Sequence, residues 1–227
     1  MARILVISGA GISAESGLKT FRDDGGLWRT HSFQELASPE AWARDRQLVL
    51  DFYNERRRLA REAKPNDAHL ALARLESHHE VVIVTQNVDD LHERAGSTGV
   101  IHLHGELNKA RSTLDSSLVY PVAGDINVGD QCERGSQLRP HIVWFGEQVM
   151  HYDRAQREVA LADKVLVVGT SLAVYPAAGL LHYARDDAEK VLVTLAVENP
   201  PARFRWLCGP AATHVPQLVD TWLEQSA

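Results

Sequence analysis

A chain of 227 residues, 44% hydrophobic and 24% charged, is long enough to bury one sizeable α/β core with a small inserted lobe. Its net charge of −6 leaves no basic footprint for nucleic acid, and no apolar run approaches the roughly 18 residues that span a bilayer. Cys132 and Cys208 alone make no disulfide framework, and a core strand starting almost at Met1 leaves no room for a signal or transit segment, so a cytoplasmic location is expected.

The first predicted element is a buried strand over Ile4–Ile7, leading directly into Gly9-Ala10-Gly11-Ile-Ser-Ala14. A strand running into Gly-x-Gly-x-x-Ala is the phosphate-cradling turn of a dinucleotide-binding fold. Its glycines let backbone N–H groups approach a pyrophosphate, and the following helix N-terminus favours the charge. A dehydrogenase would next show a strand ending in an acidic residue about 20 positions on. This chain instead has Arg22-Asp-Asp-Gly-Gly-Leu-Trp28, a polar glycine loop, so hydride transfer is not the expected chemistry. Hinged at Gly25 and Gly26, that loop reads as a lid that orders over a cofactor.

A helical stretch follows over Pro39–Glu62, with Ser38 as N-cap and Pro39 at the first helical position. On it, Tyr53 and Arg56 stand at i and i+3, where a phenol and a guanidinium side by side can grip a carboxylate. Unaided, Arg56-Arg57-Arg58 reads as a solvated basic face. After a helical pattern over His69–Leu75, a second strand is predicted at Val81–Val84. Asn87 and Asp89 follow its carboxyl end, the place where ligands bind in open α/β sheets. His104 closes Ile101-His-Leu-His104, and an imidazole that titrates near neutrality suits a general base. His102, two residues earlier, is placed on the opposite strand face and read as structural. The segment Leu107–Leu138 has weak periodicity and reads as an insertion. Strands at Ile142–Phe145, Val165–Val168 and Val191–Val197, with a helix over Ala155–Ala162, complete the pattern. Near-continuous apolar strands alternating with helices predict an α/β fold, a mostly parallel sheet with helices on both faces. Gly169-Thr170-Ser171 ends one of those strands, where hydroxyls and amides can hold a ligand or cap a helix.

The pattern Gly9-Ala-Gly-Ile-Ser-x-x-Ser16-Gly-x-x-Thr20-Phe-Arg22 resembles the sirtuin NAD loop. Thr85-Gln-Asn87-Val-Asp89, His104-Gly-Glu106 and Gly169-Thr-Ser171 match in the same order. The similarity runs over nearly the whole chain and is closest to bacterial sirtuins of the desuccinylase-type branch. It implies a Rossmann-like lobe over 1–30, 68–106 and 139–227, and a smaller lobe built from 31–67 and 107–138. It also implies NAD as a consumed co-substrate, contacted by Gly9, Ala10, Gly11, Glu15, Thr20, Phe21, Arg22, Trp28, Gln86, Asn87, Asp89, Gly169, Thr170, Ser171, Thr194 and Ala211. By the same resemblance His104 deprotonates a ribose hydroxyl, Asn87 lies near the ribose and a catalytic water, and Asp89 helps hold the nicotinamide pocket. Phe21 would shield a developing oxocarbenium ion. Tyr53 and Arg56 resemble the acyl-pocket signature of desuccinylating sirtuins. Val143-Trp144-Phe145-Gly146 resembles the substrate strand, along which an extended peptide adds through main-chain hydrogen bonds.

The activity implied is NAD-dependent removal of succinyl, and of malonyl or acetyl, groups from protein lysines, giving nicotinamide and O-acyl-ADP-ribose. Acyl-lysine proteins or peptides are the implied partners, with no nucleic acid or membrane, and a monomer is expected. Two alternatives stay open: ADP-ribosyl transfer or NAD hydrolysis at the same site, and a catalytically weak protein that binds NAD or acyl-peptides. The chain departs from the family pattern twice. Most sirtuins hold structural zinc with two Cys-x-x-Cys pairs, but here the two regions read Ala110-Arg-Ser-Thr-Leu-Asp-Ser116 and Cys132-Glu-Arg-Gly135, so zinc is predicted absent. The segment Leu107–Leu138 is then expected to be held by packing alone or to be mobile. After the Val191 strand, Thr194 and Ala196 stand where relatives carry Asn-x-Glu, so weaker NAD binding is expected.

Overall fold

A computed structural model describes residues 1–20, 33–172 and 175–225. Phe21, Arg22, Trp28 and the glycine-hinged loop that holds them lie outside the described residues.

The strands are β1 (Arg3–Ser8), β2 (Glu80–Thr85), β3 (Val100–His102), β4 (Gly105–Ser112), β5 (Val119–Pro121), β6 (Leu138–Ile142), β7 (Lys164–Val168), β8 (Glu189–Thr194) and β9 (Arg205–Cys208). Six of them form one parallel sheet in the order β3-β2-β1-β7-β8-β9. Alternation along the strands explains their unbroken apolar sequences. In β1, Ile4 and Val6 enter one core while Leu5 and Ile7 enter the other, and β7 divides in the same way. The first core is closed by α5 (Asp67–Leu75) and α8 (Ala211–Glu224), the second by α7 (Tyr152–Leu161) and a 3₁₀ helix over Ala177–Tyr183. Side chains of this kind, fully withdrawn from water on both faces, contribute about 1.5–3 kcal/mol each, which is what makes the sheet the frame for everything else.

The strand order reverses direction between β1 and β7. In an open parallel sheet the crevice beyond the carboxyl ends at that point is the ligand-binding position. Here the crevice is bounded by the turn after β1, which includes α1 (Gly11–Ala14), and by Gly169–Ser171 after β7.

The small lobe joins α2 (Phe33–Leu36), α3 (Pro39–Arg44) and α4 (Arg46–Glu62) to a three-stranded antiparallel sheet in the order β5-β4-β6. Ser38 caps α3 as expected, accepting from Ala41 N at 3.0 Å. The helical stretch predicted over Pro39–Glu62 is broken at Asp45, whose extended backbone (φ −150°) lets its carboxylate accept from Leu48 N at 2.9 Å and start α4. Three further expectations need correction. The strand at Ile142–Phe145 is not part of the large sheet: β6 ends at Ile142, and the run beyond it is apolar because Trp144 is buried in the small-lobe core. The β8 strand stops at Thr194 instead of Val197. The triplet Arg56-Arg57-Arg58 is not a single solvated face, because successive helix residues point about 100° apart. Arg58 is exposed and pairs with Glu55 and Asp125, Arg57 is buried, and Arg56 is half-buried.

That buried Arg57 answers what holds the weakly patterned segment. Its Nε donates to Leu107 O at 2.6 Å, and its Nη1 donates to Asn54 Oδ1 at 2.6 Å. Asn54 in turn accepts from Ile126 N at 3.0 Å and donates to Ile126 O at 2.9 Å. Hydrogen bonds from α4, and not packing alone, therefore tie the lobe together. At the degenerate cysteine positions, Ser112 and Ser136 hydroxyls lie 2.8 Å apart, and the Cys132 thiol donates to Ser112 Oγ at 3.4 Å. Among the described residues no group of three or more His, Cys, Asp or Glu side chains is placed to hold a metal ion. A chelator such as EDTA is expected to leave the melting temperature unchanged, whereas Asn54→Ala is expected to cost about 2–4 kcal/mol by stranding the buried Ile126 amide and Arg57. Thermal unfolding with and without chelator checks both.

Candidate active site

The cradle begins with backbone. Gly9 N donates to Val168 O at 3.0 Å and Gly11 N to Gly169 O at 2.7 Å, which locks the turn after β1 against the turn after β7. The approach is too close for side chains. A Cβ on Gly169 would stand 2.2 Å from Ile12 N, and its φ of +64° suits glycine. Above this cradle opens a cleft of about 1320 Å³, large enough for a dinucleotide with a second substrate. It is lined by Gly9, Ala10, Gly11, Glu15, Thr20, Gln86, Asn87, His104, Gly169, Thr170, Ser171, Thr194 and Ala211, and also by Tyr53, Arg56 and Val143–Gly146. The described residues proposed from sequence thus meet at one opening, with Asp89 the exception.

Asp89 lines an adjoining chamber of about 60 Å³ with Ser13, Lys19, Arg56 and Asn87. Its carboxylate accepts from Ser13 Oγ at 3.2 Å and from Leu91 N, two residues on at the start of α6 (Leu91–Arg94), at 3.2 Å. Burial pushes the Asp89 carboxyl pKa up, against the pull of the Leu91 and Ser13 bonds. Asn87 Nδ2 donates to Gly9 O and to Ser13 Oγ, both at 3.2 Å, so Ser13 links the two residues across the floor of the site. Sequence reasoning quoted Ser13 within the glycine loop without giving it this bridging position. Leu172, Tyr175, Pro176 and Val197 also line the cleft, and no motif marked them.

Other placements are specific. Glu15 Oε2 accepts from Ala212 N at 2.8 Å, so this cleft carboxylate also satisfies the first turn of α8. Gln86 Nε2 donates to Thr170 Oγ1 at 3.4 Å across the switch point. Thr194 Oγ1 donates to Ala196 O at 3.2 Å, which engages the hydroxyl within its own loop.

His104 Nδ1 lies 3.1 Å from Gln86 O. A carbonyl only accepts, so Nδ1 carries the proton and Nε2 is left as the basic nitrogen. Burial lowers the His104 pKa from 6.5, opposed by the Gln86 bond, so the ring is neutral and able to accept a proton at neutral pH. Gly105 makes this placement possible. Its φ is +83°, and a Cβ there would stand 1.9 Å from His141 O on β6. Gly105→Ala is expected to cost about 2–4 kcal/mol and to lower activity by displacing His104, measurable as a lower melting temperature with a fall in kcat. The expectation that put His102 on the opposite strand face from His104 needs correction: residues two apart on a strand share a side, and β3 in any case ends at His102, whose Nδ1 meets Asn87 O at 3.1 Å.

On the opposite wall, Tyr53 is buried, and desolvation pushes its phenol up to about 12 although Arg56 pulls it down. It is therefore a neutral hydroxyl. Burial lowers the Arg56 pKa, while Tyr53 and Asp89 counter it, and the guanidinium packs over the Phe52 and Tyr53 rings at 5.6 and 5.9 Å. Glu147 holds the neighbouring Val143–Gly146 segment, accepting from Trp144 N at 2.8 Å and pairing with Arg139 at 2.6 Å and Arg111 at 3.0 Å.

A switch-point glycine cradle with a neutral histidine facing the cleft defines an NAD-site architecture shared with a known family. The Sir2 family profile matches residues 9–176, and the chain belongs to that family. A relative named NAD-dependent protein deacylase from Helicobacter pylori strain J99 is 55% identical over 188 residues, covering 83% of this chain and 80% of that protein. A protein of the same name from Aggregatibacter actinomycetemcomitans is 52% identical over 205 residues, covering 90% and 97%. Among solved structures, a Sir2 homologue in complex with NAD superposes with a TM-score of 0.89 at 39% identity, covering 100% of this chain and 91% of that one.

Proposed function

We propose that this chain is an NAD-dependent protein-lysine deacylase whose acyl pocket accepts an acidic acyl group, succinyl or malonyl, beside acetyl. The carrying observation is that neutral His104 and the Tyr53–Arg56 pair line the same cleft as the glycine cradle. The residues present fit NAD: the glycines let the turns after β1 and β7 close against each other as a floor of the cleft, and polar groups follow along it. NAD, when bound, supplies the ADP-ribosyl acceptor of the acyl group and nicotinamide as leaving group.

The chain's own groups then divide the work. The turn over Gly9–Gly11, locked in place by its own backbone bonds, seats the phosphates, Thr170, Ser171, Thr194 and Ala211 hold the adenosine half, and Gln86 and Asn87 face the ribose. Asp89 and Ser13 shape the nicotinamide pocket. His104 takes a proton at Nε2 from a ribose hydroxyl, while Arg56 and the Tyr53 hydroxyl grip the acyl carboxylate. The main chain of Val143–Gly146 pairs with an extended acyl-lysine peptide. The reading includes a monomer acting in the cytoplasm; among the described residues no helix is long and apolar enough to cross a membrane.

The test is mass spectrometry of matched succinyl- and acetyl-lysine peptides incubated with the protein, with and without NAD. Deacylation only with NAD, faster for succinyl-lysine, is the expected result. NAD binding without any free lysine peptide would favour a binding protein, and NAD consumption without peptide turnover would favour a hydrolase.

A further inference from the structure

Two histidines hold one segment. His104 Nδ1 meets Gln86 O and His102 Nδ1 meets Asn87 O, each at 3.1 Å, so an imidazole meets each of two consecutive carbonyls of the segment after β2. The two rings differ in what lies behind them. His102 Nε2 lies 2.7 Å from Glu93 Oε1 on α6, so both of its nitrogens face groups that only accept. A neutral imidazole has one N–H and can satisfy only one of them; an imidazolium satisfies both. We infer that His102, bridged as an imidazolium between the Glu93 carboxylate and the Asn87 carbonyl, is a positioning residue that fixes the Gln86–Asn87 segment and through it the Asn87 amide and His104. The inference rests on the catalytic site proposed above.

The charges around His102 support its protonated form. Burial of the ring works against its charge, but Glu93, Glu106 on β4 and the Asn87 carbonyl outweigh it, and the pKa is raised above 6.5. Asp89 also faces it favourably, whereas the neighbouring His92 is held neutral by burial far below 6.5. Lys109 pairs with Glu106 at 2.7 Å and weakens that contribution without removing it. Glu93 itself keeps its charge: burial opposes ionisation, but the His102 bond prevails and its pKa falls below 4.5. A raised folded-state pKa means that the bridge is complete below 6.5 and is lost as pH rises through the raised value. His104 titrates in the opposite sense, with its pKa lowered, so catalysis has an acid limb from His104 and an alkaline limb from His102.

The experiment measures kcat and KM for NAD and for an acetyl-lysine peptide from about pH 6 to about pH 10, with melting temperatures, for the wild type, His102→Gln, Glu93→Gln and His104→Ala. Glu93→Gln keeps an acceptor oxygen but removes the charge. It is expected to move the alkaline limb to lower pH and to lower kcat at neutral pH about tenfold, with KM for NAD within about twofold. His102→Gln is expected to abolish the alkaline limb. A melting temperature that falls in both variants while kcat and the pH profile stay as in the wild type would overturn the inference and leave a structural bridge only. Should His102→Gln fail to fold, Glu93→Gln decides by the same criterion. Full activity in His104→Ala would overturn the underlying site assignment and this inference with it, whereas loss of activity there beside wild-type profiles in the other two variants would overturn the bridge alone.

Discussion

Replacing His104 by alanine is expected to lower kcat for NAD-dependent deacylation by about 10²–10⁴-fold, the range typical of a lost general base, while leaving NAD binding within a few-fold of the wild type. The separation follows from where the ring sits. Its Nδ1 is tied to the Gln86 carbonyl, not to the glycine cradle, and the backbone contacts that join β1 and β7 do not depend on it. The pH dependence carries a sign. Burial lowers the His104 pKa from 6.5, so the base is competent through neutral pH and the acid limb of activity lies at that lowered value. Steady-state kinetics against pH, with calorimetry for NAD, checks the whole statement. An acid limb above 6.5 would contradict the burial argument.

Arg56→Met is expected to cost the succinyl-lysine reaction about 100-fold in kcat/KM and the acetyl-lysine reaction no more than a few-fold. Methionine keeps much of the stem that packs over Phe52 and Tyr53 but removes the only cation of the Tyr53–Arg56 pair, so a carboxylate entering that pocket is desolvated without an opposite charge. An acetyl group brings no charge and has little to lose. Tyr53→Phe is expected to move in the same direction by about tenfold, because its phenol is neutral and contributes one charge-assisted hydrogen bond. Paired measurements on the two peptides give the ratio directly. Equal losses on both substrates would place Arg56 in the helix packing and not in acyl recognition.

How much of this was legible beforehand follows the strength of local pattern. The strands of the parallel sheet that carry near-continuous aliphatic runs, β1, β2 and β7, could be read because both of their faces are buried, as Ile4 and Leu5 show from adjacent positions. The edge strand β9 was not read, since Arg205 and Trp206 face solvent in part and Arg205-Trp-Leu-Cys208 gives no continuous aliphatic run. Helix α8 carries Pro216 inside it, a residue that reads as a breaker. In the small lobe the binding order comes from Asn54 and Arg57 reaching far along the chain to Ile126 and Leu107, which no local periodicity records.

The site was more legible than the lobe. Glycines, His104, Asn87 and Arg56 belong to motifs whose residue types chemistry restricts, and the cleft gathers them. Ser13, Glu93 and His102 were missed as participants because their roles lie in whom they touch. Ser13 bridges Asn87 and Asp89, and His102 bridges Asn87 and Glu93, relations that only the packing of α1 and α6 against the ends of β2 and β3 creates.

The most direct measurement is the stoichiometry of one reaction: succinyl-lysine peptide and NAD with the purified protein, following free lysine peptide, nicotinamide and O-succinyl-ADP-ribose together by mass spectrometry. Equal amounts of the three, none formed without NAD or with His104→Ala, are the expected result. Nicotinamide released in the absence of peptide turnover, or peptide deacylated without NAD loss, would contradict a Sir2-type deacylase that couples the two.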